Sequence, residues 1–164
     1  MLLWDYEMSD AKGKLDALSG YARAVVGLDT LDATLRILLE MPERRITEDG
    51  VSFIERTSDY CRQSLTRPHI DEADLEALFD ELYTLKDREY LAGSSLLMAL
   101  SDCIDGLPNR FDSNTVLRIM SACYESVLAS QALGRIITVD MERANPSCVH
   151  AIAMQRQIID NTLT

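Results

Sequence analysis

The sequence lacks any long apolar run. Its longest stretches, such as LLMAL at 96–100, fall far short of the roughly 20 apolar residues that a transmembrane helix needs. The amino terminus has no basic start, and its first apolar run stops at Trp4, directly before Asp5. A secretory signal instead has a basic start followed by about 7–15 apolar residues. We therefore expect neither a membrane span nor a signal peptide, and we expect a cytoplasmic protein.

Cysteine and histidine are scarce and scattered. The cysteines stand at positions 61, 103, 123 and 148, and the histidines at 69 and 150. No Cys-x-x-Cys or Cys-x-x-His pair gives zinc-site spacing, and no acidic residue stands three before a histidine, as di-iron bundles require. In a reducing cytosol, isolated cysteines are usually free and buried. We therefore expect no metal, no cofactor and no disulfide.

Motifs for phosphate, hydrolase or nucleic-acid chemistry are also missing. Neither Gly-Lys-Ser/Thr nor Gly-x-Ser-x-Gly occurs. The densest basic cluster, residues 43–45 with Arg56 and Arg62, is better explained as a solvated surface than as a nucleic-acid stripe. These absences predict a non-enzymatic protein that does not bind nucleic acid, with an enzyme of unrecognised site type as an alternative.

Negative charge is abundant and unevenly distributed. The net charge is −11, and residues 71–112 hold 11 acidic residues against 3 basic ones. Such a surface repels nucleic acid and anionic lipid, whereas it attracts basic partners and speeds their encounter by about 10–1000-fold at low salt. Solubility is the alternative explanation for the charge.

Helical periodicity runs through nearly the whole sequence, and strand alternation is almost absent. The length of 164 residues and the apolar fraction of 47% suit one domain with a buried core. We predict an all-α single domain over residues 1–164, a bundle of six or seven antiparallel helices.

Caps and breaks set the expected helix boundaries. The first helix is expected over residues 9–26 with Gly27 as its stop, and the second from Asp29 or Thr30 towards Pro42. Further helices are expected over residues 47–65, 71–87, 89–104 and 113–133. Residues 135–143 form either a short helix capped by Thr138 or an extended link. The last helix starts at Asn145 as N-cap with Pro146 at its first position.

The segment NPSCVHAIAMQRQII at 145–159 places Cys148 and His150 two residues apart. Each helical residue turns by about 100°, so these two side chains point about 160° apart. A reactive thiolate–imidazole pair needs hydrogen-bond contact. We therefore expect Cys148 on the apolar face with Ile152 and Ile159, and His150 on the polar face.

The helix DEADLEALFDELYTLKD at 71–87 is the most one-sided of the chain. Its apolar stripe consists of Leu75, Leu78, Phe79, Leu82 and Leu85. Its opposite side carries Glu72, Glu76, Asp80 and Asp87, with Asp74 and Glu81 at the flanks. We predict that the partner-binding residues are Glu72, Glu76, Asp80, Glu81 and Asp87.

The ending VDMERANPSCVHAIAMQRQII at 139–159 joins an acidic stretch, Asn-Pro at a helix start and a Gln-containing helix. In this it resembles the final helix segment of immunity proteins of bacterial polymorphic-toxin systems. The resemblance implies a cytoplasmic antitoxin that binds one cognate toxin and blocks its active site or a needed surface. Many such toxins are basic, so an acidic face would be complementary. The alternative is an acidic inhibitor or adaptor, for example a phage-encoded one, that mimics nucleic acid.

Overall fold

The computed structural model describes residues 1–108 and 110–164, and these residues form nine α-helices and no strand. The helices are α1 Leu3–Glu7, α2 Ala11–Asp16, α3 Gly20–Glu40, α4 Glu48–Ser64, α5 Glu72–Lys86, α6 Leu91–Asp105, α7 Ser113–Ser130, α8 Val139–Ala144 and α9 Pro146–Leu163. The all-α prediction is confirmed. The expected number of six or seven helices is too low for the described part of the chain, because α1 lies ahead of the first expected helix and α8 adds a short one.

The amino-terminal region departs most from expectation. Where one helix was predicted over residues 9–26, the chain forms α2 and then the start of α3. The Ser19 hydroxyl accepts a hydrogen bond from the Ala22 amide at 3.1 Å and so begins α3. A serine followed by Gly20 is therefore the boundary that the periodicity alone does not reveal.

Gly27 does not end a helix but lies buried within α3. A Cβ at this position would lie 3.2 Å from Cδ1 of Ile119 in α7. The glycine therefore serves the close approach of two helices, and α3 runs through the expected break at Asp29 to Glu40. The predicted stop is wrong because a small residue inside a helix serves packing as readily as termination.

Four of the expected helix starts are confirmed by a polar N-cap. The side chains of Thr47, Asp71, Thr138 and Asn145 each accept a hydrogen bond from a main-chain amide in the first turn of their helix. Residues 139–144 are therefore the short helix of the two alternatives. Such caps are local in sequence, which explains why the sequence reveals them.

The core is built around α7, which packs against α3, α6 and α9. α6 and α7 run antiparallel: the Ser126 hydroxyl donates to the Ala92 carbonyl at one end, and Arg118 pairs with Asp102 at the other. None of the helices in the described ranges is both long enough and apolar enough to cross a membrane.

A buried polar network ties the amino terminus to this core. The Glu142 side chain is only 1% exposed, and its Oε1 accepts from the Leu3 amide at 3.2 Å and from the Tyr124 hydroxyl at 2.5 Å. Beside it, Trp4 Nε1 donates to Oε1 of the buried Gln155 at 2.7 Å. Because buried polar groups need partners, these bonds fix α1 against α7, α8 and α9.

Candidate partner-binding surface

The acidic surface stands on α5. Its first turn is set by Asp71, whose carboxylate accepts from the Ala73 amide at 2.9 Å, and by Glu72 and Asp74 at the positive end of the helix dipole. Within the described range Glu72–Lys86, Leu82 alone is buried, while the rest of the apolar stripe is half-buried. α5 therefore rests on α4 and α6 with one side and leaves most of its circumference to solvent.

All five predicted binding residues lie exposed on this helix or directly after it: Glu72, Glu76, Asp80, Glu81 and Asp87. At about 100° per residue, four of the five fall within roughly 80° of one another. We call these four, namely Glu72, Glu76, Asp80 and Asp87, the acidic row. The structure thus places the predicted residues together on one face, except for Glu81.

Glu81 faces the neighbouring helix α4. Its Oε1 lies 2.7 Å from Nη2 of Arg56, and the two side chains are 45% and 54% exposed. The hydrogen bond to Glu81 raises the pKa of Arg56 above its ordinary value. An ion pair with this much solvent contact contributes about 0–1 kcal/mol to stability. Its main consequence is that the charge of Glu81 is already matched within the chain.

Tyr83 is a surface residue that the sequence analysis missed. It is 51% exposed. It lies three residues after Asp80 and four before Asp87, and therefore on the same face of α5 as the acidic row. Its ring stacks on Phe79 with centroids 6.4 Å apart, which restrains its orientation. Aromatic side chains of this kind anchor many protein interfaces. The same helical projection that revealed the acidic row would have revealed Tyr83.

A cleft of about 460 Å³ separates the acidic row from α4. One wall carries Asp49 and Arg56 of α4, and the other carries Asp80 and Leu85 of α5, with Arg88 beyond the helix end. The lining carries both charge signs, and Leu85 is its one apolar side chain.

The structure confirms that Cys148 and His150 lie on opposite faces of α9. Cys148 is fully buried with Ile152 and Ile159, whereas His150 is exposed. Within residues 1–108 and 110–164, no group of three or more His, Cys, Asp or Glu side chains has the geometry to hold a metal ion.

All four cysteines are free and buried. Burial raises the pKa of Cys61 and Cys123 to about 12 and also raises the pKa of Cys103 and Cys148. The thiolate is the reactive form, so these thiols are poor nucleophiles in the folded state.

We expect dithionitrobenzoate at pH 8 to label none of the four thiols in the folded protein and all four in urea. A pKa near 12 instead of 9 leaves about a thousandfold less thiolate for Cys61 and Cys123. The absorbance of the released thionitrobenzoate gives the number of thiols that have reacted. A thiol that reacts in the native protein faster than the protein unfolds would contradict this expectation.

Comparison of the chain with protein-family models, with curated proteins and with solved structures gave no match in any of the three. The exposure and charge of α5 therefore carry the functional proposal.

Proposed function

We propose that this protein is a non-enzymatic immunity protein, which binds a cognate bacterial toxin in the cytoplasm and neutralises it. The observation that carries the proposal is the acidic row around the exposed Tyr83 on α5. The partner is then a toxin with a basic surface, and neither nucleic acid nor membrane takes part in the contact.

The acidic row is free to meet such a partner. Among the described residues, no Lys, Arg or His nitrogen lies within ion-pair distance of Glu72, Glu76, Asp80 or Asp87. Charges without an internal partner contribute their full field to steering a basic protein towards the surface. Tyr83 supplies the aromatic contact area that charges alone lack.

The choice of a toxin as partner is supported by the likeness of residues 139–159 to the final segment of immunity proteins. In the structure this segment forms α8 and α9, with Asn145 as N-cap and Pro146 in the first turn. The side chains of this segment that enter the core, such as Glu142 and Gln155, hold the bundle together. Under this proposal the segment maintains the fold and α5 makes the contact.

Reversing two charges of the acidic row is expected to weaken toxin capture by about tenfold or more, because like charges then meet across the interface. The variant is Glu76→Lys with Asp80→Lys, and the measurement is capture of a basic partner from a lysate of the source cell by the immobilised protein at about 150 mM salt, the physiological value. Glu81 is left unchanged because its reversal would also break the pair with Arg56.

The matched control is Glu40→Lys with Glu125→Lys, which changes the net charge equally at two exposed sites on α3 and α7. Capture should survive in the control. Equal loss of capture in both variants would show a general charge effect. Unchanged capture by the variant with Glu76→Lys and Asp80→Lys would refute α5 as the contact surface.

The second candidate is an acidic inhibitor or adaptor that mimics nucleic acid. The favouring observation is the regular interval of Glu72, Glu76 and Asp80, which places a carboxylate about every 6 Å along one side of α5. A captured partner that duplex DNA or RNA displaces competitively would favour this candidate. A partner that stays bound under excess nucleic acid would favour a contact outside a nucleic-acid groove.

A further inference from the structure

Glu89 joins three helices at one point. Its backbone amide donates to the Lys86 carbonyl at 3.3 Å and so continues the last turn of α5. Its carboxylate accepts from the Thr47 amide at 2.8 Å and from the Thr47 hydroxyl at 2.6 Å, before α4. The same carboxylate accepts from the Tyr90 amide at 2.9 Å, at the start of α6. One side chain thus takes three hydrogen bonds from two helix N-termini, while its backbone lies just after the end of α5.

Two glycines make room for this carboxylate. A Cβ at Gly50 would clash with Oε2 of Glu89, and a Cβ at Gly93 would lie 2.5 Å from its Cγ. Both glycines are buried within helices, where glycine is otherwise unfavourable relative to alanine. The space around Glu89 is therefore a built feature of the packing between α4 and α6.

The rest of α5 is held weakly. In the described range Glu72–Lys86 only Leu82 is buried, whereas the described helix α7 buries eleven residues. The ion pair between Arg56 and Glu81 is about half exposed at both ends and contributes little. Segments with few buried contacts open below the free energy of global unfolding.

We infer that the Glu89 carboxylate is the latch of α5: its two hydrogen bonds to Thr47 fix the end of the helix to the start of α4, and α5 opens as a unit when these two bonds break. Only Asp87 and Arg88 separate Glu89 from the end of α5, so the latch also sets the position of Tyr83 and Asp80. The importance of that position for binding rests on the proposed function, whereas the latch itself does not. A partner that needs closed α5 binds in proportion to the closed fraction.

Native-state hydrogen exchange in the intact chain tests the latch without any partner. The readouts are the amides of Leu82 and Leu85 in α5 and of Met120 and Cys123 in α7. In the unchanged protein, the α5 amides should exchange faster than the α7 amides, because they open without global unfolding. Equal protection of both helices would overturn the inference.

The decisive variant is Glu89→Ala. If the latch is already broken in the open state of α5, Glu89→Ala destabilises only the closed protein. Exchange of the α5 amides and the global unfolding constant should then increase by the same factor. That factor is roughly tenfold or more, given the contribution of hydrogen bonds to a charged acceptor. Unchanged α5 exchange with faster α7 exchange would overturn the inference, since the latch would then survive the opening of α5.

Two further variants complete the test. Tyr124→Phe alters a network that includes no residue of α4, α5 or α6, so it should accelerate α7 exchange and leave α5 exchange unchanged. Glu89→Gln keeps the size of the side chain but cannot accept the Thr47 hydroxyl at the amide nitrogen. It should raise α5 exchange and the global unfolding constant by one smaller common factor, and α5 exchange that stays unchanged would count against the latch.

Discussion

Replacing Glu142 by alanine is expected to lower the free energy of unfolding by about 3 kcal/mol. The carboxylate is buried, and it accepts hydrogen bonds from the Leu3 amide and the Tyr124 hydroxyl. Without it, both donors stay in the core unpaired, at about 1–3 kcal/mol each, and a cavity remains. Relief of the buried charge offsets part of this cost. Urea unfolding followed by Trp4 fluorescence measures the change.

Two comparisons separate the contributions. Tyr124→Phe removes one donor to the carboxylate and should cost about 1.5–3 kcal/mol. Burial raises the pKa of Tyr124 and the hydrogen bond to Glu142 raises it further, so the hydroxyl stays protonated and donates at any ordinary pH. Asp140→Ala on the same helix, at a side chain 93% exposed, should stay within about 0.5 kcal/mol of the unchanged protein. A Glu142→Ala variant as stable as the parent would show that desolvation of the carboxylate cancels its hydrogen bonds.

Gly93→Ala is expected to destabilise the protein by about 2 kcal/mol, although alanine normally favours a helix by about 1 kcal/mol over glycine. The three heavy atoms nearest to the added Cβ all belong to Glu89, at 2.5–2.7 Å. The carboxylate must therefore move away from Thr47 and lose its bonds there. Chemical unfolding gives the stability change.

The sign of this effect should reverse when Glu89 is already alanine. The atoms that the new Cβ meets are then gone, so Gly93→Ala should stabilise the Glu89→Ala protein by about 0.5–1 kcal/mol. Gly13→Ala on α2 is the control, because nothing lies within 4 Å of its added Cβ. It should stabilise both backgrounds by the same amount. If Gly93→Ala destabilises the unchanged protein and the Glu89→Ala protein equally, the added Cβ clashes with atoms other than those of Glu89.

The acidic surface was largely predictable because α5 is a single amphipathic helix. Side chains at a spacing of three or four residues share a face, so the acidic row follows from the sequence and the helical period. The pairing of Glu81 with Arg56 was not predictable, since the two residues come from different helices 25 positions apart. The periodicity therefore predicted which carboxylates are exposed but not which of them is already neutralised.

The contacts that hold the bundle together were missed for the same reason. Glu142 stands in the polar sequence VDMER and resembles a surface residue, yet it bonds Leu3 across 139 positions. Glu89 was expected to begin a helix, and it instead bonds Thr47, which precedes it by 42 positions. No local pattern distinguishes these two glutamates from the exposed carboxylates of α5.

By itself, the sequence determined the helical character of the chain, the N-caps at Thr47 and Asn145, and the opposite faces of Cys148 and His150. Capping and periodicity act within a few residues, so they can be read along the chain. Only the tertiary structure decided that Gly27 lies inside a helix and that Glu89 and Glu142 are bonded within the packing. These outcomes depend on which helices meet, and that choice is set by the burial of apolar surface and the pairing of polar groups over the whole molecule rather than within any one segment.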